Sequence, residues 1–308
     1  MKTNFCKIRG IIPPLVTPLK DSITLDERGM ERLIEHVLRG GVHGIFILGT
    51  TGEGPSLGSK LKRQVIKLAC SICRKQIPVY VGVSDTSFAE TLRLSEYAWD
   101  CGATALVLAP PYYFPTGQAE LLEYFEHLVP ELPLPLILYN MPAMTKINFE
   151  INTLKILFKM KGIIGMKDSS GNMIYLHRIR NLLEKNKKIS LLVGPEELLA
   201  EAVLFGCDGG ICGGANIFPK LYVSLYQAAE KGDLNTVRSL HSAVIKIGDL
   251  LYGVGHYNSR VIKGIKCALS CLNICDDFMS EPFHRFRDKE RRKIELMLKQ
   301  LGKDFELI

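Results

Sequence analysis

Lys167 closes the apolar run Gly162-Ile163-Ile164-Gly165-Met166 and precedes Asp168-Ser169-Ser170-Gly171. The run reads as a buried parallel strand, and the Ser/Gly stretch as the turn into a helix. Desolvation at such a junction disfavours an ammonium and favours the free amine, the form that attacks a carbonyl. A lone lysine there also has a plainer reading, a stem packed at the strand end with its charge in water. Its companions decide between the two. Other apolar runs end in Gly49-Thr50-Thr51-Gly52-Glu53-Gly54, in Pro110-Pro111-Tyr112-Tyr113, in Tyr139-Asn140-Met141-Pro142, in Gly194-Pro195-Glu196-Glu197 and in Gly213-Gly214-Ala215-Asn216. An amine forms an imine with a keto acid, and the iminium is an electron sink that lets an adjacent C–C bond be made or broken. A phenol beside it relays protons. Paired threonines and loop amides hold a carboxylate, and glycines let the backbone approach a small ligand.

Each partner also has a structural explanation. Tyr112 and Tyr113 could be rim aromatics, and Thr50 and Thr51 turn or capping residues. The loop 49–54 lacks the lysine of a phosphate-binding P-loop and follows the second strand. Glu196 and Glu197 could simply open a helix, favoured by its dipole. Strand alternation turns Asp168 away from Lys167 and gives it a structural role. Ser169 or Ser170 is expected to cap the next helix.

These residues need elements to hold them. Apolar, β-rich runs cover residues 11–16, 44–48, 79–83, 105–108, 136–139, 163–166, 189–193 and 209–212. Amphipathic helical patterns lie between them, at 26–39, 59–74, 89–101, 120–128, 150–158, 174–185 and 196–205, and an eighth follows at about 219–231. Eight β-α repeats predict parallel strands, and eight is the number that closes a (β/α)8 TIM barrel, an α/β fold whose chemistry gathers at the strand ends. An open doubly wound sheet would carry a glycine fingerprint after its first strand; here Thr17-Pro18-Leu19 follows. Beyond residue 232 the strand signal stops, and 234–251, 259–272 and 286–301 read as three helices. The expected division is a catalytic barrel, 1–231, and a C-terminal helical appendage, 232–308.

The chain has 308 residues, enough for one such barrel with an addition, and no apolar run long enough to span a bilayer. Residues 1–10 contain Lys2, Lys7 and Arg9 but no leader-like apolar core, so a soluble, cytoplasmic protein with no membrane partner is expected. Nine cysteines in a chain this rich in other core residues argue against a disulfide framework. Cys70 and Cys73 lack the second pair that a zinc site needs. Cys267, Cys271 and Cys275 recur every four residues and read as small hydrophobes on one helix face. The net charge is +7, with basic and acidic residues interleaved near the C-terminus. That pattern reads as a solvated helix face and excludes a nucleic-acid stripe, though the positive field could gather an anionic substrate.

The combination of Gly49-Thr50-Thr51-Gly52-Glu53, Tyr139-Asn140-Met141-Pro142 and Gly165-Met166-Lys167-Asp168-Ser169-Ser170-Gly171, in order and at strand ends, resembles the pyruvate-dependent class I aldolases, the family of dihydrodipicolinate synthase and N-acetylneuraminate lyase. The resemblance implies that Lys167 is the Schiff-base lysine and Tyr139 the general acid/base. It implies a proton relay from Tyr139 through Thr50 to Tyr113, with Tyr113 supplied by a neighbouring subunit of a homotetramer built as a dimer of dimers. Thr51, the Thr50–Thr51 amides and the backbone of Ile211 would hold the pyruvate carboxylate. No metal or organic cofactor is implied.

The partner of pyruvate, an aldehyde, divides the family. Dihydrodipicolinate synthases resemble one another in an arginine five residues after the tyrosine, which grips the carboxylate of aspartate semialdehyde. Here Met144 stands there and cannot make that bidentate pair, and Lys146 is a weak substitute. Gly194-Pro195-Glu196-Glu197 is similar to the segment with which N-acetylneuraminate lyases hold the sugar polyol. Ser169 also matches a hydroxyl residue of those enzymes, whereas Gly213 replaces a serine they use. The expectation is therefore an aldolase acting on a 2-keto-3-deoxy sugar acid or sialic-acid-like substrate, with dihydrodipicolinate synthase as the alternative. A non-catalytic keto-acid-binding protein would not need the Lys167, Tyr139, Thr50 and Tyr113 set. A metal-dependent aldolase would need a convergent His/Asp/Glu cluster, which the seven histidines do not supply.

Overall fold

Two prolines cut the first strand short. The run 11–16 was expected to pair throughout, but Pro13 and Pro14 have no N–H to donate, so the ladder of β1 is confined to Gly10–Ile11. The Pro13 carbonyl still accepts from Phe46 N at 3.0 Å and Leu15 N donates to the Phe46 carbonyl at 2.8 Å, which closes the sheet on itself. The computed structural model describes residues 7–73 and 76–305. Residues 1–6, part of the N-terminal stretch read above, lie outside the described residues, as do Arg74 at the end of the second expected helix and residues 306–308 of the tail.

The remaining strands are β2 (Ile45–Ile47), β3 (Val79–Gly82), β4 (Ala105–Leu108), β5 (Leu136–Asn140), β6 (Ile163–Asp168), β7 (Ser190–Val193) and β8 (Gly209–Gly210). All pair in parallel, in the order β1-β8-β7-β6-β5-β4-β3-β2. Helices alternate with them: α1 (Glu27–Arg39), α2 (Ser59–Cys73), α3 (Phe88–Asp100), α4 (Gln118–Leu128), α5 (Pro142–Thr145), α6 (Ile151–Leu157), α7 (Met173–Leu182), α8 (Leu199–Leu204) and α9 (Pro219–Lys231). This is a (β/α)8 barrel. The expected helix over 196–205 splits into a 3₁₀ turn at Glu196–Leu198 and α8. The four-residue α5 was not foreseen.

Local chemistry explains the helix ends. The Asp26 carboxylate accepts from Gly29 N at 3.0 Å at the start of α1, whose buried Met30, Leu33, Ile34 and Val37 follow the i, i+3, i+4, i+7 spacing. Helix α7 is capped by Asn172, whose Oδ1 accepts from Tyr175 N, and not by Ser169 or Ser170 as expected. At the β1–β8 seam the strands press together at Gly209, where an added Cβ would fall 2.0 Å from the Gly10 carbonyl oxygen.

Strand alternation sorts the core into two layers. Val107, Ile137, Tyr139 and Leu192 fill the barrel interior with Phe46, Tyr80 and Ile211. Leu106, Leu108, Leu136, Leu138 and Met166 face the helices. Burial of each such aliphatic chain contributes about 1.5–3 kcal/mol.

The chain ends in α10 (Leu234–Ile247), a π-helical turn (Gly248–Tyr252), α11 (Arg260–Cys271) and α12 (Asp288–Phe305). Helix α10 packs on α9, while α11 packs on the π turn and on α12. Cys275 lies beyond the end of α11, so the expected three-cysteine helix face stops at Cys271. Among the described residues no helix is long and apolar enough to cross a membrane, and no three metal-ligating side chains converge.

Candidate active site

Lys167 and Tyr139 are cross-strand partners on β6 and β5. Tyr139 belongs to the interior layer and Met166 to the outer one, so alternation directs Lys167 inward. Its Nζ lies 4.2 Å from the centroid of the Tyr139 ring and 5.3 Å from that of Phe46, and the residue is 5% exposed. Asp168 takes the opposite side, where it accepts from Asn140 Nδ2 (2.8 Å), Ser170 N and Ser170 Oγ.

Thr50 Oγ1 lies 3.2 Å from Tyr139 Oη. Burial alone would push the Tyr139 phenol up. The neighbouring Lys167 ammonium and the hydrogen bonds from Thr50, Lys167 and Ser169 outweigh burial, and the phenol is held below its usual range. Such a phenol can give or accept a proton beside an amine.

The loop after β2 presents Thr50 through an unusual backbone. Leu48 (φ 59°) and Glu53 (φ 58°) are both left-handed, a conformation that costs a side-chain-bearing residue about 1–3 kcal/mol. Gly82 makes room for this turn, since a Cβ there would sit 2.4 Å from the Leu48 carbonyl oxygen. The Glu53 carboxylate pins the far end. Its Oε1 is 2.5 Å from Lys266 Nζ on α11, and its Oε2 accepts from Ser280 N and Oγ, each at 2.8 Å.

Above these groups opens a cavity of about 340 Å³. Phe46, Leu48, Thr50, Ser84, Tyr112, Tyr139, Met144 and Thr145 come from the barrel; Asn258, Ser259, Ile262 and Phe283 come from the segment that follows α10. Lys167 is not part of this wall. It lies under two side chains that are, Tyr139 and Phe46. The appendage residues escaped the sequence reading because no strand-end signal marks them. The Glu53–Lys266–Ser280 anchor escaped it because Glu53 is more than 200 residues from both of its partners.

The other expected site residues separate into groups. Ser169 adjoins Tyr139 and stacks against Gly194, where an added Cβ would fall 2.0 Å from Ser169 Oγ. Ile211 lies in the barrel interior, its N–H already donated to the Val193 carbonyl. Thr51 is half-buried and outside the cavity wall. Met144 is 46% exposed at the mouth. Tyr113 is 75% exposed, packed edge-on against Phe114, and lies outside this cavity's wall; Tyr112 fills the wall instead.

Glu196 departs from the expected substrate-binding role. Its Oε1 accepts from the hydroxyls of Tyr222 and Tyr252 and its Oε2 from Gly214 N, each at 2.7 Å, so its acceptor positions are taken inside the protein. Burial pushes this carboxyl up, against those three hydrogen bonds. Glu197 is half-buried and has no hydrogen bond or ion pair among the described residues.

A closed parallel barrel with an inward lysine, a depressed phenol and a hydroxyl at its strand ends defines an enzyme of the carbon–carbon lyase class. Residues 7–301 match the dihydrodipicolinate synthetase family, and the chain belongs to that family. It is similar to the structure of dihydrodipicolinate synthase from Bacteroides thetaiotaomicron, with 52% identity, 95% of this chain and 98% of that one covered, and a TM-score of 0.93. It is also similar to the structure of YagE, a prophage protein from Escherichia coli K12 in complex with pyruvate (28% identity, 98% and 100% covered, TM-score 0.91). By sequence the same YagE, named "Putative 2-dehydro-3-deoxy-D-gluconate aldolase", is 32% identical over 294 residues, 95% of this chain and 96% of that protein.

Proposed function

We propose that this protein is a pyruvate-dependent class I aldolase that works through a Schiff base on Lys167. The observation that carries the reading is the Lys167–Tyr139–Thr50 arrangement: a depressed phenol with an amine against its ring and a hydroxyl bonded to its oxygen. The amine attacks C2 of the keto acid, and the carbinolamine loses water to give an iminium. In the cleavage direction Tyr139 takes the C4 hydroxyl proton, the C3–C4 bond breaks, and its electrons enter the iminium as an enamine. An aldehyde leaves. Protonation at C3 and hydrolysis then release pyruvate and the free lysine. Thr50 passes protons between Tyr139 and Tyr113 of a neighbouring subunit, and Thr51 and the Ile211 backbone hold the pyruvate carboxylate. The relative crystallised with pyruvate supports that choice of keto acid.

The cavity favours a polyhydroxylated 2-keto-3-deoxy acid. No arginine or lysine lines it to hold a second carboxylate, while Thr50, Ser56, Ser84, Tyr112 and Ser259 offer hydroxyls. Glu197 lies outside that wall, its carboxylate beside Gly248, and its free acceptors are assigned to the far end of the polyol. A second reading, condensation of pyruvate with aspartate semialdehyde, is favoured by the 52% identity to the Bacteroides protein.

The barrel (1–231) is taken as the catalytic unit. The appendage (232–308) completes its cavity. A homotetramer fits the exposure of Tyr113 and Phe114 at one place and of Ile174 and Phe205 at another.

Borohydride added with pyruvate should leave a reduced adduct on the peptide that contains Lys167. An adduct on a different lysine, or none, would overturn the reading.

A further inference from the structure

A second cavity, of about 320 Å³, lies between the loop before α11 and the start of α12, and meets the first at Ser259, which lines both. Its chemistry differs from that of its neighbour. Lys263, Arg260 and Arg287 line it against a single carboxylate, that of Glu290. Arg260 and Lys263 are three residues apart on α11 and so share a face.

Lys263 is 5% exposed, yet its ammonium forms no hydrogen bond or ion pair among the described residues. Its nearest recorded partner is the Tyr257 ring, with Nζ 5.8 Å from the centroid. Burial pushes its ammonium down, and the Glu290 charge opposes that shift only from beyond ion-pair distance. Arg260 and Arg287 are exposed and likewise form no ion pair among the described residues. The first turns of α11 and α12 begin at this cleft, at Arg260 and Asp288. Gly255 (φ 91°) brings the loop against Phe286, where an added Cβ would lie 3.1 Å from the ring. The result is a walled, cation-rich hollow whose most buried charge lacks a counter-ion.

We propose that this cleft is an oxyanion-binding site, taking a phosphate or carboxylate group between Lys263, Arg260 and Arg287. Such a group would supply the charge-assisted hydrogen bonds that Lys263 lacks. It could be the far end of a molecule reacting in the adjoining cavity or a separate small anion. The site goes beyond the aldolase reading, because its occupancy does not require turnover.

Inorganic phosphate titrated into the full-length protein, followed by calorimetry and by 31P line broadening, should bind saturably at one site per chain. Lys263→Met should weaken binding at least tenfold. Because Lys263 is buried, the exposed pair Arg260→Gln/Arg287→Gln provides a second variant whose fold is not at stake, and it should weaken binding to a similar degree. No saturable binding, or equal binding by wild type and both variants, overturns the proposal. Initial rates identify the source of the anion. Phosphate that raises the KM of the carbonyl acceptor marks the cleft as the seat of the substrate's own anionic end. Phosphate that binds and leaves that KM unchanged marks an independent anion.

Discussion

Glu53 and Lys266 form an ion pair with no solvent contact: Oε1 and Nζ are 2.5 Å apart and both side chains are 0% exposed. One belongs to the loop that presents Thr50, the other to α11 of the appendage. Breaking a buried pair by removing one partner leaves an uncompensated charge and costs about 3–5 kcal/mol, whereas replacing both is far milder. Lys266→Met should therefore lose about that much stability in denaturant titration, and Glu53→Gln/Lys266→Met should regain most of it. A double variant that costs the sum of the two single ones would show that the residues act independently.

Tyr139 is predicted to set the acid limb of the rate profile. Its phenol is held down by Lys167 and by hydrogen bonds that include that of Thr50. Thr50→Val removes one of those bonds, so the phenol must rise and the acid limb of kcat must move to higher pH. Tyr139→Phe should abolish that limb and slow turnover roughly a hundredfold or more, the usual loss on deleting a general acid/base. Near-normal turnover would remove Tyr139 from its role.

Glu196 gives a stability prediction of definite sign. Its folded carboxyl is raised above the ordinary value of 4.5 by burial. The folded state therefore holds the proton more tightly than the unfolded chain. Its contribution is complete below the ordinary carboxylate range and is lost as pH rises through the folded value. Between those limits, Glu196→Gln, which keeps the shape and stays neutral, should flatten the fall of Tm with rising pH. A profile unchanged by the substitution would mean that Glu196 does not titrate there.

Much of this architecture was legible before any coordinates. Periodicity located all eight strands, because a β/α repeat leaves each strand as an apolar run. The placing of Lys167, Tyr139 and Thr50 at or just past strand ends was legible because each follows an apolar run. The misreadings have physical causes. Pro13 looked compatible with a strand until its missing N–H was counted. Glu196 looked like a ligand for hydroxyls, since the sequence does not reveal that Tyr222 and Tyr252 already supply two. Lys263 and Lys266, one helical turn apart on α11, are indistinguishable as letters. Only the fold gives Lys266 a carboxylate and sets Lys263 in the wall of a hollow.

Tyr113 offers a test by complementation. The residue is exposed and stands outside the wall of the active-site cavity in its own subunit. If it completes a neighbour's site, Lys167→Met and Tyr113→Phe proteins should each be impaired alone. Allowed to exchange subunits, they should recover activity, because a Tyr113→Phe subunit keeps its lysine and borrows the tyrosine. A mixture no better than the average of its parts would return Tyr113 to its own chain.

Met144 decides between the two substrate readings. It lies at the cavity mouth, 46% exposed, and the wall around it carries no arginine or lysine. An anionic aldehyde entering there must leave water without a cationic partner, a penalty that a neutral polyol escapes. Because the side chain is partly exposed, Met144→Arg can place a guanidinium at the mouth without burying it. Charge-assisted pairing is worth about 1.5–3 kcal/mol, so kcat/KM for aspartate semialdehyde should rise by roughly one to two orders of magnitude relative to that for a neutral hydroxyaldehyde. Steady-state kinetics of both condensations, with pyruvate saturating, measures that ratio. If the wild-type enzyme already prefers aspartate semialdehyde and Met144→Arg adds nothing, the acid is held by other residues, and the second reading replaces the first.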